Sequence, residues 1–303
     1  METHHHHHHH HHLPETQKNI TIAFLLNAAF TVIEIIGGIL TNSVAILTDA
    51  VHDLGDTFSL ALAWYTERLA QRKPDGRFTY GYKRFPVLAA MVNAVFLLGA
   101  SIFVLSRAIP LLLKPEQVHA SGMIWLAIAG LIFNGAAVLK LSKGESINQR
   151  VVKLHLLEDV LGWAAVLIGA IVIRFTNWLW IDPLLAILIA LYIIYNAVKN
   201  IAYALRIFLQ ASPGETDMPG LKEKLMDIPG INDLHDIRTW SIDGQTHVYT
   251  MHVVAAKGTG PEQYPELKKQ IRSILADAGF EFVTVEIDSF DEHCELNEYQ
   301  QTK

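Results

Sequence analysis

Six long apolar stretches dominate this 303-residue chain. They occupy residues 19–40, 43–65, 85–110, 119–140, 151–175 and 181–206. A helix rises about 1.5 Å per residue, so a stretch of roughly 20 residues can cross a hydrocarbon core about 30 Å thick. Only 18% of all residues are charged. The sequence therefore predicts an α-helical membrane protein with six transmembrane helices.

The chain divides into a tail, a membrane part and a soluble part. We assign residues 18–207 to the membrane part and residues 208–303 to a soluble domain, where charges are frequent and apolar runs are short. Roughly a hundred residues is an ordinary domain size. Residues 1–17 contain nine consecutive histidines, His4–His12. We interpret them as a purification tag, with a native metal-collecting tail as the alternative, and we expect no cleaved signal peptide.

Arginine and lysine are concentrated in two loops. The loop after the second stretch carries Arg68, Arg72, Lys73, Arg77, Lys83 and Arg84. The loop after the fourth stretch carries Lys143 and Arg150, whereas the turn after the first stretch has neither residue type. Because positively charged loops remain in the cytoplasm, we predict a multi-pass protein of the cell membrane whose termini and soluble domain are cytoplasmic.

The soluble domain is acidic. From residue 207 to residue 303 it has 17 Asp and Glu against 8 Lys and Arg. This charge argues against a nucleic-acid partner, which favours a basic surface, and is compatible with a cation ligand. Cys294 is the chain's one cysteine, so no intramolecular disulfide is possible, in agreement with a cytoplasmic location.

The second apolar stretch, SVAILTDAVHDLGDTFSLALAWY, contains four ionisable residues. Each costs about 2.5–3.5 kcal/mol at the centre of a spanning helix, so Asp49, His52, Asp53 and Asp56 indicate function. His52 and Asp56 are four residues apart and share one helix face. Asp49 and Asp53 lie near that face and are accessory candidates. Asp49 would help the exit route, and Asp53 would either handle protons or face water.

The fifth stretch repeats the pattern with His155 and Asp159 in KLHLLEDVLGWAAVLIG. Two His-x-x-x-Asp motifs facing each other would supply two imidazoles and two carboxylates, which suit tetrahedral coordination of zinc. A hydrogen-bonded cluster or a proton relay is the alternative. The polar run GESINQRVVKLHLLED indicates that this helix begins before residue 151 and lines a cytoplasmic water cavity.

Further polar residues occur in the first, third and fourth stretches. They are Asn27, Glu34, Asn93 and Asn134. Interhelical hydrogen bonding explains such side chains. Glu34 is in addition an accessory candidate for proton handling.

Together these features resemble the cation diffusion facilitator family of exporters of zinc and related metals. The resemblance covers about residues 20–290 and rests on the six stretches, the segment SVAILTDAVHDLGD, the second His-x-x-x-Asp motif, and Asp182-Pro183 opening the sixth stretch. It implies a transport site formed by His52, Asp56, His155 and Asp159. The His-Asp pair in both helices is similar to that of zinc-preferring members, so we expect Zn²⁺ as cargo, with Cd²⁺, Co²⁺ or Fe²⁺ as alternatives.

The loop after the second stretch departs from part of this family. Some members have a second metal site there, built on Asp and His. Here the loop reads RKPDGRFTYGYKRFPV, with Asp75 but no histidine. We therefore predict no such site.

Helix and strand patterns alternate in the soluble domain. MPGLKEKLMDI and PEQYPELKKQIRSILADAG are typical of helices, and GINDLHDIRTWSI, QTHVYTMHVVAA and FEFVTVEID are typical of strands. The resulting α+β order, α-β-β-α-β, resembles the family's metallochaperone-like cytoplasmic domain, which forms homodimers.

Asp243-Gly244 predicts a two-residue hairpin turn between the first two strands. Such a turn pairs residue 242 with residue 245. It places His235 opposite His252, with Cβ atoms about 5 Å apart, and pairs Trp240 with His247 on the other face. Two imidazoles at that distance can chelate a metal, with packing or hydrogen bonding as the alternative.

The resemblance implies a regulatory zinc site in this domain. The matching positions are His235, His252 and Glu286. His293 and Cys294, in the acidic tail, could complete the site.

The sequence thus predicts a transporter and not an enzyme. We expect a secondary antiporter that exports zinc in exchange for protons, because metal ligands must lose their protons to bind the ion. A membrane metalloenzyme would need an activated water. The chain has no His-Glu-x-x-His motif, and four protein ligands leave no open position for water. A membrane metal sensor without flux remains an alternative.

Overall fold

The computed structural model describes residues 13–141, 147–214 and 216–292, and the side chains of residues 27–139, 156–214 and 216–292. These residues fall into two compact units. The first lies within residues 1–65 and 89–201, and the second lies within residues 66–88 and 202–303.

Six long helices occupy the positions of the six apolar stretches. They are α1 (Leu13–Thr41), α2 (Val44–Ala70), α3 (Phe85–Leu113), α4 (Ala120–Leu141), α5 (Ile147–Thr176) and α6 (Ile181–Phe208). As the polar run GESINQRVVKLHLLED indicated, α5 begins before residue 151.

Within the described residues, four of these helices are long and apolar enough to cross a membrane. They comprise Phe85–Leu113, Ala120–Leu139, Leu156–Thr176 and Ile181–Phe208. The apolar part described for α1, Asn27–Thr41, is shorter than these four. Helix α2 is not among them, and it carries the four ionisable residues of the DAVHDLGD segment. The chain is a multi-pass membrane protein, and spanning by α1 and α2 remains a prediction.

Small residues allow the helices of the first unit to pack closely. A Cβ atom on Gly130 of α4 would meet the indole ring of Trp163 on α5. Phe30 of α1 stacks on Phe133 at a centroid distance of 4.8 Å and meets Trp163 edge-on at 5.8 Å. Trp163 is 1% exposed. Helix association in a membrane depends on such close packing, because lipid offers no hydrophobic driving force.

The N-terminus of α2 is held by a carboxylate from α6. Asn42 ends α1 with a φ of 51°, a left-handed conformation that asparagine tolerates. Asp182 accepts hydrogen bonds from Ser43 Oγ at 2.5 Å, from the Val44 amide at 2.8 Å and from the Ala45 amide at 3.4 Å. The carboxylate therefore satisfies amides that the first turn of α2 leaves without helical partners.

The second unit contains the predicted α-β-β-α-β order. Its elements are α7 (Met218–Met226), β1 (Ile231–Ser241), β2 (His247–Ala255), α8 (Tyr264–Asp277) and β3 (Phe280–Asp288). The strand order is β1-β2-β3, with β1 antiparallel and β3 parallel to β2. One sheet face packs on α7 and α8 through a buried core that includes Leu225, Tyr249, Met251, Ile271 and Leu275.

The hairpin between β1 and β2 differs from the predicted two-residue turn. The Ile242 amide donates to the Thr246 carbonyl at 2.9 Å, so Asp243, Gly244 and Gln245 form the turn. Ser241, and not Trp240, therefore pairs with His247. The prediction was wrong because the Asp243 carboxylate accepts from the Gln245 and Thr246 amides, at 2.9 and 2.6 Å, and stabilises a longer turn.

A β-bulge restores the register further along β1. The register shifts between His235 and Arg238, where Asp236 has a φ of 47°. Beyond the bulge His235 pairs with His252, as predicted. The longer turn shifts the pairing by one residue, and the extra residue of the bulge in β1 shifts it back by one, so the two effects on the register cancel.

The loop between α2 and α3 packs on the sheet face that points away from α7 and α8. Tyr80 meets Phe282 of β3 edge-on at a centroid distance of 5.2 Å. Lys83 donates to Thr246 Oγ1 at 3.1 Å, and Arg84 Nε donates to the Ile242 carbonyl at 3.2 Å.

Candidate metal sites

The middle of α2 presents its ionisable side chains to the interior of the first unit. Asp49 and Asp53 are buried, at 6% and 5% exposure, and His52 and Asp56 are half-buried. The distance from His52 Nε2 to Asp56 Oδ2 is 3.8 Å. The predicted pair on one helix face is therefore adjacent in space.

Helix α5 brings Asp159 to this group. Asp49 Oδ1 lies 3.6 Å from the position that a Cβ atom on Gly162 would occupy, so the two helices approach closely there. Asp159, almost one turn before Gly162, is half-buried and close enough for its charge to interact with those of Asp49 and Asp53. The side chain of His155 lies outside the described residues, and its place in the site remains a prediction.

Glu34 of α1 adds another carboxyl group. It is fully buried. It lies within electrostatic reach of Asp49, Asp53 and Asp159. Clustered carboxylates repel one another strongly where the dielectric constant is low, so this arrangement favours a bound cation or bound protons.

Asn27 has the structural role expected of an intramembrane amide. Its Nδ2 donates to Thr57 Oγ1 at 3.0 Å and to the Asp53 carbonyl at 3.4 Å. These bonds hold α1 against the part of α2 that carries the acidic residues.

A second cluster lies on the sheet of the second unit, on the face away from α7 and α8. The ring centroids of His235 and His252 are 5.4 Å apart. Asp288 Oδ2 lies 3.6 Å from His235 Nε2 and 3.3 Å from His252 Nδ1. Within the described part of the chain, this is the one group of at least three metal-binding side chains whose ligand atoms lie within 4.8 Å of one another.

The cluster fits zinc. Zinc–nitrogen and zinc–oxygen bonds of about 2.0–2.2 Å in a tetrahedron separate the ligand atoms by roughly 3.3 Å. His235 and Asp288 are each 5% exposed, and neither ring nitrogen of His235 has a hydrogen-bond partner among the described residues. A buried imidazole without a hydrogen bond costs free energy that a metal ion would recover. Three protein ligands leave a fourth position for another donor.

Glu286 and Asp288 have different places in this cluster. Glu286 Oε2 is 3.4 Å from His252 Nε2, but its side chain is 68% exposed. Sequence reasoning missed Asp288, which approaches both imidazoles. The available signal was its spacing of two residues from Glu286, because alternate residues of a strand share a face. His293 and Cys294 lie outside the described residues.

Asp75 is engaged within its own loop. Its Oδ1 accepts from the Arg77 and Phe78 amides, both at 2.8 Å, and its Oδ2 accepts from the Tyr82 hydroxyl at 2.7 Å. The Tyr82 hydrogen bond and then the two amides hold the pKa of Asp75 below its usual value. The carboxylate stabilises a turn. The prediction that this loop has no metal site stays a prediction.

Comparison with known proteins places both units in one family. A family model described as the cation efflux transmembrane domain matches residues 20–209. A model described as the cation efflux protein, cytoplasmic domain, matches residues 213–290.

Curated relatives match along most of their length. The chain is 34% identical over 263 residues to the metal cation efflux system protein CzcD of Cupriavidus metallidurans, covering 86% of this chain and 83% of the relative. It is 34% identical over 289 residues to the zinc transporter ZitB of Pectobacterium atrosepticum, covering 93% and 89%. It is 31% identical over 280 residues to the cadmium, cobalt and zinc/H(+)-K(+) antiporter of Bacillus subtilis, covering 90% and 89%. With both domain models matched, the chain belongs to the cation efflux family of membrane transporters, the cation diffusion facilitators.

Proposed function

We propose that this protein exports divalent metal ions, zinc foremost, from the cytoplasm in exchange for protons. The observation that carries the proposal is the cluster of Asp49, His52, Asp53, Asp56 and Asp159 contributed by α2 and α5. Relatives named as zinc transporters and as a metal/H(+)-K(+) antiporter support the cargo and the exchange. The relative named for cadmium, cobalt and zinc supports a broader selectivity as the second candidate.

The transport site consists of His52, Asp56, His155 and Asp159. Zinc binds neutral imidazole and ionised carboxylate, so its arrival releases protons and protons from the opposite side compete with it. Glu34, Asp49 and Asp53 surround the site with further carboxyl groups that can take up those protons. Alternating exposure of the site to the two membrane faces converts this competition into exchange.

The second unit lies in the cytoplasm, together with both termini, and forms a homodimer. The positively charged loop after α2 supports this orientation, and the matched cytoplasmic domain supports the location of the second unit. Zinc held by His235, His252 and Asp288 would regulate the transporter by reporting cytoplasmic zinc. Transport itself requires only the membrane site.

Flux into proteoliposomes tests the function. Purified protein is reconstituted with a zinc-sensitive dye inside, and internal pH is followed in parallel. Zinc entry should be accompanied by proton movement in the opposite direction. Zinc binding without flux would instead establish a metal sensor, and cadmium or cobalt flux as fast as that of zinc would favour the broader selectivity.

A matched pair of variants on α5 tests the site. Asp159→Asn removes a proposed ligand charge and should abolish zinc flux. Glu158→Gln removes the same charge from the neighbouring exposed side chain and should retain most flux. Unchanged flux in Asp159→Asn would rule out this site assignment.

A further inference from the structure

A cavity of about 420 Å³ lies within the second unit. The loop between α2 and α3, the first residues of α3, the end of α6 and the β1–β2 hairpin line it. The lining residues that matter here are Arg77, Phe78, Arg84, Phe85, Phe208 and Trp240. A cavity of this volume is large enough for a small organic ligand or a lipid headgroup.

The cavity is positively charged. Arg77 and Arg84 lie on its wall, and none of its lining residues is acidic. Arg84 Nε donates to the Ile242 carbonyl at 3.2 Å, which fixes this side chain and leaves its terminal nitrogens without a partner among the described residues. The Arg77 guanidinium has no ion pair within the described part of the chain and is exposed. Two guanidinium groups can bind phosphate oxygens through paired N–H donors.

Apart from Thr79 and Gln210, the rest of the wall is aromatic or apolar. It lies where two membrane spans end. Phe85 is the first residue of the α3 span and Phe208 is the last residue of the α6 span. Phe78 remains 43% exposed and Leu88 40% exposed. Aromatic rings and arginines at span ends are typical of the headgroup layer of a bilayer. A soluble phosphate would leave this apolar wall in contact with water, whereas the glycerol and upper acyl chains of a lipid would cover it.

We propose that this cavity binds the headgroup of an anionic phospholipid. Arg77 and Arg84 hold the phosphate, and the aromatic residues pack against the part of the lipid nearest the headgroup. Basic pockets at the cytoplasmic ends of membrane helices suit such headgroups. The lipid would contact the ends of α3 and α6 and the hairpin at once. Among the described residues, none that belongs to either candidate metal site lines the cavity, so the proposal does not rest on the transport function.

Native mass spectrometry of the full-length protein in detergent provides the test. Phosphatidylglycerol should bind more tightly than phosphatidylcholine with the same acyl chains. Arg77→Gln should weaken phosphatidylglycerol binding roughly tenfold, the loss expected for one charge-assisted phosphate contact. Arg72→Gln is the matched control, because it removes an arginine from the same loop that does not line the cavity. Equal affinity for the two lipids, or equal affinity losses in the two variants, would overturn the proposal.

Two further arms identify the ligand and its position. Glycerol phosphate, which carries the anion without acyl chains, should not displace the lipid at comparable concentration; displacement would assign the cavity to a soluble phosphate. Phosphatidylglycerol brominated near the headgroup should quench tryptophan fluorescence less in Trp240→Phe than in the unmodified chain. Identical quenching in both proteins would show that the lipid binds elsewhere.

Discussion

His235 on β1 and His252 on β2 face each other across the antiparallel pair, with Asp288 of β3 in reach of both rings. The three residues belong to three strands and are far apart in the chain. The parallel pairing of β3 with β2, made possible by the crossover through α8, brings the carboxylate to the histidine pair. Among the described residues, the sheet therefore builds the cluster without contributions from a loop.

Asp288 should contribute more to zinc affinity than Glu286. Asp288→Asn removes a buried carboxylate and should weaken zinc binding by at least roughly tenfold, because a charge-assisted contact is worth about 1.5 kcal/mol or more. Glu286→Gln removes the same charge from an exposed side chain on the same face and should have a smaller effect. Isothermal titration calorimetry checks this in a chain that lacks His4–His12 and carries Asp159→Asn. Neither the N-terminal histidines nor the proposed membrane site then contributes to zinc binding. Equal losses in the two variants would contradict a specific role for Asp288.

The hairpin illustrates what the sequence could predict. The alternating strand patterns located β1 and β2, and the pairing of His235 with His252 was confirmed. The turn itself was one residue longer than predicted, because the Asp243 carboxylate caps its own backbone amides. A one-residue slip reverses the faces of a strand, so the histidine pair is correct only because the bulge at Asp236 compensates for the turn.

The six helices were predictable because apolar length is a property of each segment alone. Other features depend on contacts between distant parts of the chain, which no local pattern encodes. The place of Asp288 beside the histidines depends on the parallel register of β2 and β3, which pairs residues far apart in the chain. The bonds from Asp182 to Ser43 and Val44 join residues far apart in the chain. The resemblance singled out Asp182 but did not indicate these bonds.

The bulge at Asp236 should be necessary for the metal cluster. Asp236→Gly keeps a residue that adopts positive φ readily, whereas Asp236→Val places a β-branched residue at a φ of 47°, which is strained by about 1–2 kcal/mol. Both variants lose the hydrogen bonds from Arg238 to Asp236. A difference between the two variants therefore reports the backbone conformation that each new residue prefers. The valine variant should show the greater losses in zinc affinity and in thermal stability, measured by calorimetry and by unfolding in detergent. Equal zinc affinity in the two variants would mean that the bulge does not control the register.

Two glycines of α4 should respond differently to alanine. In Gly130→Ala the new methyl group would meet the Trp163 ring, so α4 and α5 must move apart and the protein should lose stability. Gly135→Ala has open space around the new methyl group and should be neutral or more stable by about 0.5–1 kcal/mol, since alanine favours a helix. Thermal unfolding in detergent checks both. A stability loss in Gly135→Ala as large as that in Gly130→Ala would show that helix packing is not the cause.

Tyr249 should make the second unit less stable as the pH becomes strongly alkaline. Burial raises the pKa of this phenol to about 12, against about 10 in an unfolded chain. The folded state holds the proton more tightly, so the stabilisation is complete below about pH 10 and is lost as pH rises through about 12. Tyr249→Phe should flatten this decline in thermal stability, and Tyr264→Phe, which removes a hydroxyl outside the buried core, serves as the control. Because Tyr249 Oη has no hydrogen-bond partner among the described residues, the Phe variant should lose no stability at neutral pH. A decline of the same steepness in Tyr249→Phe would exclude this phenol as its source.

Asp182 should stabilise the helix that carries the proposed transport ligands. Asp182→Ala leaves the Ser43 hydroxyl and the Val44 amide without their acceptor in a buried position, and should reduce stability by about 2–3 kcal/mol. Asp182→Asn retains one acceptor oxygen and should lose less. Thermal unfolding in detergent gives the ranking, and zinc flux in proteoliposomes should fall in the same order because His52 and Asp56 depend on the position of α2. Full stability with reduced flux in Asp182→Ala would instead indicate that the carboxylate acts directly on the transported ion.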